Sequence, residues 1–144
     1  MADNTFVKNN YSHNKGWAKD IFSDVAVIEG NAKLLFLSGV GAENPDATDP
    51  ATVEILGGAD FAEQTRIAFA KIKSLLAAHG ATMHDIVRMT AYVTEPADIW
   101  TYFQIQGEAL EGAPRPPHTF LRVAGLAVPE MLVEVEVTAA IPAG

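Results

Sequence analysis

The stretch Met131-Leu132-Val133-Glu134-Val135-Glu136-Val137-Thr138-Ala139 alternates along its length. In an extended chain successive side chains point to opposite faces, so Met131, Val133, Val135 and Val137 share one face. Leu132, Glu134, Glu136 and Thr138 share the other. Two earlier segments carry the same period. Val87, Met89, Ala91 and Val93 oppose Arg88, Thr90, Tyr92 and Thr94, while Thr119, Leu121 and Val123 oppose His118, Phe120 and Arg122. Three aliphatic faces need apolar cover, and two helical patterns supply it. Asp60 with Glu63 forms a D-x-x-E start and His79-Gly80 a stop. Between them Phe61, Thr65, Ala68, Phe69, Ile72, Leu75 and Leu76 recur at threes and fours. Pro96 opens a second helix, with Ile99, Tyr102, Phe103, Gln106 and Leu110 on one side and Gly112 at its close.

Further out, Val25–Ile28 and Leu34–Leu37 read as strands around the Glu29-Gly30-Asn31 turn, and residues 41–59 as a long loop. The order is ββαβαββ, an α+β fold with both helices on one face of a mixed sheet. Residues 1–20 are polar and read as an irregular N-terminal arm pinned by Tyr11 and Trp17. Residues 21–144 form a single domain, which suits a chain of 144 residues.

The faces turned away from the helices mix Phe, Tyr and Leu with Arg, Glu and His. A plainly solvated sheet face carries few large aromatics, so this one is expected to pack against copies of itself. Composition narrows the partners. Ten Lys plus Arg against eighteen Asp plus Glu leave a net charge of −8, and the basic residues are scattered. Such a surface repels phosphate backbones and anionic lipid, so neither nucleic acid nor membrane is expected as a partner. The first residues lack the pattern of a secretory signal and no apolar run spans a bilayer, so the expected location is cytoplasmic. Without cysteine there are no disulfides, thiolate nucleophiles or iron–sulfur clusters. The four histidines show no metal-ligand spacing, and Ser38-Gly39-Val40-Gly41 and Gly57-Gly58 match no nucleotide fingerprint. No metal and no cofactor are expected.

One cluster remains. His118, Arg122, Glu134 and Arg88 fall on the unpartnered face, where a carboxylate beside cations can position water and an arginine can clamp an anionic ligand. The same residues also suit a salt-bridge network between subunits. Ser38-Gly39 at a strand end offers backbone groups to a ligand, because glycine permits close approach.

Several segments together resemble the Rid family of reactive intermediate deaminases, also called the YjgF family. Leu35-Phe36-Leu37-Ser38-Gly39 is similar to its strand end, Gln64-Thr65-Arg66 to its helix start, and Ala78-His79-Gly80 through Asp85-Ile86-Val87-Arg88-Met89-Thr90 to its A-G…D-I-V-K-x-T segment. Pro117–Val123, Leu126, Pro129 and Val133-Glu134-Val135-Glu136 resemble its last two strands, and the likeness covers about residues 22–141. It implies a chorismate-mutase-like homotrimer with clefts between subunits, which hydrolyses imines or enamines of a small-molecule substrate. Carried over, the water-positioning glutamate falls on Glu134 and the strand-end pair on Ser38 and Gly39. The family's clamping arginine falls on His118 and its tyrosine near Phe22. These departures imply a divergent subgroup with a different substrate. His118 would then work as an acid–base or hydrogen-bonding group, with Arg88, Phe120, Arg122 and Phe22 lining the substrate. The alternative is a Rid-like protein that binds a ligand or regulates without turnover.

Overall fold

The structure is a computed structural model that describes residues 5–13, 15–95 and 97–144. The fold is α+β. A four-stranded mixed sheet holds β3 (Ala32–Phe36), β6 (Val133–Pro142), β4 (Ile86–Val93) and β5 (His118–Arg122) in that order, with α1 (Phe61–Ala77) and α2 (Ile99–Ala109) on one face. Central β6 runs antiparallel to both neighbours, and β4 pairs β5 in parallel. Met89, Ala91, Val93, Val133 and Val135 are fully buried, and Val137 nearly so, beneath Phe69, Ile72, Leu76 and Tyr102 of the helices. Among the described residues no helix is long and apolar enough to cross a membrane.

Several expectations shift. The segment read as an irregular arm contains a further strand, β1 (Val7–Tyr11), paired antiparallel with β2 (Val25–Glu29), and a 3-10 turn at Trp17–Asp20. Trp17 does pin this region, through ring contacts with Phe22 at 6.4 Å and Trp100 at 6.2 Å. Gly30 turns between β2 and β3 at φ +89°, where a side chain would collide with the Thr5 carbonyl. The register of β4 slips between Ile86 and Arg88, so Ile86 rather than Val87 enters the core. Pro96 lies outside the described residues; α2 starts at Ile99, capped by the Asp98 carboxylate, which accepts from Trp100 N–H.

On α1 the expected stripe holds except at its edge. Leu75 is exposed and Gln64 is fully buried. Its Nε2 donates to the Gly58 and Glu130 carbonyls (2.6 and 3.1 Å), and its Oε1 accepts from Leu132 N–H at 2.9 Å. One amide thus ties the start of α1 to the approach to β6. Gln64→Leu keeps the volume but strands three backbone groups, each costing about 1–3 kcal/mol when buried unpaired. Urea unfolding should show a loss of at least about 3 kcal/mol, and a change under 1 kcal/mol would mean water replaces the brace.

Candidate functional site

The open face of the sheet carries its chemistry in two patches. The first forms where β3 leaves the ladder. Val40 exchanges backbone hydrogen bonds with Val135, both 2.8 Å, which draws Ser38 and Gly39 alongside β6. Glu134, paired across the sheet with Tyr92, lays its carboxylate over Gly39. A Cβ at Gly39 would overlap that carboxylate, with 2.7 Å to its carboxyl carbon. Glycine here is therefore a requirement of close approach. Partial burial of Glu134, then the charges of Glu43 and Glu136, raise its pKa above the ordinary glutamate range. The neighbouring groove, about 640 Å³, is lined by Phe36, Ser38, Gly39, Glu43, Lys71 and Leu75 among others.

The second patch lies where β2 meets the start of β4 and β5. Phe22, Val87, Arg88, Pro117, His118 and Thr119 line another groove of about 640 Å³. Arg88 Nη2 donates to Thr119 Oγ1 at 2.5 Å. Ser23 N–H donates to the Pro116 carbonyl and Ser23 Oγ to that of Arg115, which fixes Phe22 beside this groove.

The expected faces of β5 are reversed. Met89 pairs His118, Ala91 pairs Phe120 and Val93 pairs Arg122, so these β5 residues share the helix-side face, while Thr119 and Leu121 face outward. Alternation decides which residues share a face but not which face is buried. Here aromatic matching decides it: Tyr102 and Phe103 of α2 meet the rings of His118 and Phe120 at 5.1–5.8 Å. Leu121 is left 42% exposed. The cluster read on one face is thus divided, with Glu134 and Arg88 on the open side and His118 and Arg122 on the other. Arg122 pairs with the Glu95 carboxylate and donates to the Ala97 carbonyl at 3.1 Å. Phe120 and Arg122 line neither groove.

His118 keeps an edge on the second groove while its Nε2 lies 2.9 Å from the Tyr102 hydroxyl. Burial, reinforced by the Arg88 charge and partly opposed by a backbone hydrogen bond at Thr119, lowers its pKa to about 4. At neutral pH it is an uncharged hydrogen-bonding group. Burial holds the Tyr102 phenol protonated throughout the physiological range. Sequence reading missed Glu43, Lys71, Thr119 and Tyr92. Tyr92 already stood on the open face by alternation and Thr119 was legible once β5 was oriented, whereas Glu43 lies in a long loop with no periodic signal. Among the described residues no group of three or more His, Cys, Asp or Glu is arranged to hold a metal ion.

A family profile described as Endoribonuclease L-PSP matches residues 17–141. The RutC family protein YjgH of Escherichia coli K12 is 34% identical over 114 residues, covering 76% of each chain. The crystal structure of YyfB, a Rid-family protein from Yersinia pestis, superposes with a TM-score of 0.77 at 30% identity, over 93% of this chain and 98% of that one. RidA from an Antarctic Psychrobacter gives 0.62 at 25% identity, over 92% and 94%.

The state of His118 has a measurable cost. Its folded pKa near 4 lies below the ~6.5 of an unfolded histidine, so between these values the unfolded chain binds a proton that the folded chain refuses. Its contribution is intact above about pH 6.5 and is lost as pH falls towards 4, with a ceiling on the order of 3 kcal/mol. Unfolding at pH 7 and pH 4.5 should show a smaller acid loss in His118→Gln than in the wild-type protein. Equal losses would mean that the imidazole is solvated.

Proposed function

Because the chain belongs to the Rid/YjgF family, we propose that it is a small-molecule hydrolase acting on an imine, enamine or related carbon–nitrogen bond. The observation that carries this reading is the Glu134 carboxylate, laid over Gly39 and holding its proton more tightly than an ordinary glutamate. A base whose pKa is raised towards the working pH serves both halves of such a reaction. Water adds across C=N: its oxygen bonds to carbon, the π pair moves to nitrogen, and Glu134 takes the water proton and passes it to nitrogen. As the carbinolamine collapses, Glu134 moves the hydroxyl proton to the leaving amine. The C–N bond breaks and the carbonyl forms. An imine and water become a carbonyl compound and ammonia, with no redox partner. Backbone groups of Ser38 and Gly39 border the reacting carbon. Arg88 with Thr119 holds an anionic group of the substrate, Phe22 covers it, and neutral His118 offers a hydrogen bond.

One subunit does not supply all of this to one small molecule. Glu134 stands on β6 and Thr119 on β5 with β4 between them, about 10 Å at ordinary strand spacing. The reading therefore includes a homotrimer, in which the Glu134 patch of one copy meets the Arg88 patch of the next. Leu34, Phe36 and Leu121, exposed on the sheet, are the apolar part of the surface such packing would cover. The profile's description names ribonuclease chemistry, but a net charge of −8 opposes phosphate-backbone binding. A ligand-binding protein without turnover is the second reading. It is favoured by the inward turn of His118, which leaves β5 with Thr119, not an arginine, on its outer face.

Light scattering at neutral pH should give three chains per particle, and a single-chain mass would overturn the shared cleft. Ammonia release from imino acids, generated in situ by an amino-acid oxidase, should fall by about 100-fold or more in Glu134→Gln. Gly39→Ala, which displaces the same carboxylate at little cost in stability, should also lose activity. Ammonia release at the uncatalysed rate by the wild-type protein across the amino-acid panel would favour the ligand-binding reading.

A further inference from the structure

Glu134 has a support that the mechanism above does not use. Lys71, on α1, crosses to the turn after Gly39 and donates from Nζ to the Gly41 and Glu43 carbonyls, both at 2.8 Å. The same ammonium pairs with the Glu43 carboxylate at 3.5 Å, and its side chain is only 23% exposed. Three contacts from one cation to one turn amount to a clamp. The turn is dense as well as tethered. A Cβ at Gly41 would lie 2.7 Å from Glu43 Oε2, and that oxygen is buried without a hydrogen-bond partner among the described residues. A buried carboxylate oxygen without a hydrogen bond is costly unless the charge is compensated, and Lys71 pairs with the other oxygen of the same carboxylate.

We infer that Lys71 and Glu43 are positioning residues for Glu134: Lys71 locks the turn that carries Gly39 and Glu43, and Glu43 presents a fixed negative charge to the Glu134 carboxyl. This rests on the reading of Glu134 as the proton-moving group. The groups facing Glu134 are Tyr92 across β4, Glu136 two residues along β6, and Glu43 from the turn, with Lys71 reaching it only through Glu43. The two glutamates supply the local negative charge. Of these, Glu43 is the larger influence and the one held in place by a helix. Burial and a like charge both raise the proton affinity of the Glu134 carboxylate, which lets it take a proton from water and return it to nitrogen.

Two variants separate charge from scaffolding. Glu43→Gln removes the charge but leaves the carbonyls of residues 41 and 43 for Lys71, so the turn stays. Lys71→Met removes the clamp and the counter-charge together. The titration of Glu134, followed by carbon NMR of its carboxyl in the full-length protein and assigned by Glu134→Gln, is the direct readout and needs no substrate. The midpoint should move down in Glu43→Gln and also in Lys71→Met, where a released Glu43 no longer holds its charge against Glu134, and the ascending limb of the rate–pH profile should move with it. A rise in Lys71→Met would mean that Lys71 acts as a counter-charge and not as a clamp. An unchanged Glu134 midpoint in Glu43→Gln, in a protein of wild-type stability, overturns the inference whether or not ammonia is released. A shifted midpoint in a protein without turnover upholds it and instead removes the deaminase reading.

Discussion

The double ladder of β6 is the constraint on which the structure depends. Paired on both sides by β3 and β4, the strand cannot slip by one residue without turning every side chain to the opposite face. Val133, Val135 and Val137 are committed to the core, and that commitment projects Glu134 onto the open face. A partly desolvated carboxylate on a central strand is unfavourable. The structure accommodates it by setting a glycine opposite and a braced turn beside it. The buried valine row and the awkward carboxylate are one feature seen from its two sides.

Electrostatics divide the open face. One end gathers Glu134, Glu136 and Glu43, the last paired with Lys71, and the other presents the Arg88 guanidinium bonded to Thr119. Opposite ends of one sheet with opposite local charge are complementary when copies are arranged around a closed ring. In the proposed trimer a cleft built in this way would set the Glu134 wall of one copy against the Arg88 wall of the next. The aromatic cluster of Tyr102, Phe103, His118 and Phe120 stiffens the strand carrying Thr119 from behind. The imidazole's place in that cluster keeps it uncharged at neutral pH.

Much of this was legible in the residues. The alternation of β6 and the stop at Gly80 follow from local chemistry, and the structure has them where the sequence predicts. The D-x-x-E start is real too, since the Asp60 carboxylate accepts from Glu63 N–H at 3.1 Å. The failures have physical reasons. For β5 both faces bear apolar atoms, so orientation depended on which helix residues wait opposite, a tertiary fact. At Val87 one extra residue in β4 broke the period. Gln64 was not counted in the apolar stripe, yet its amide is buried because three backbone groups need it. Glu43 and Lys71 are 28 residues apart, in a loop and a helix, and only the fold makes them neighbours.

The central claim is a site shared between copies, and subunit mixing tests it most directly. Glu134→Gln and Arg88→Met should each be inactive alone, because every cleft lacks one wall. Unfolded together in equal amounts and refolded, they should recover about a quarter of the wild-type rate of ammonia release, since one cleft in four receives both intact walls. No recovery at any mixing ratio, from variants that each refold to the native oligomer, would contradict the account.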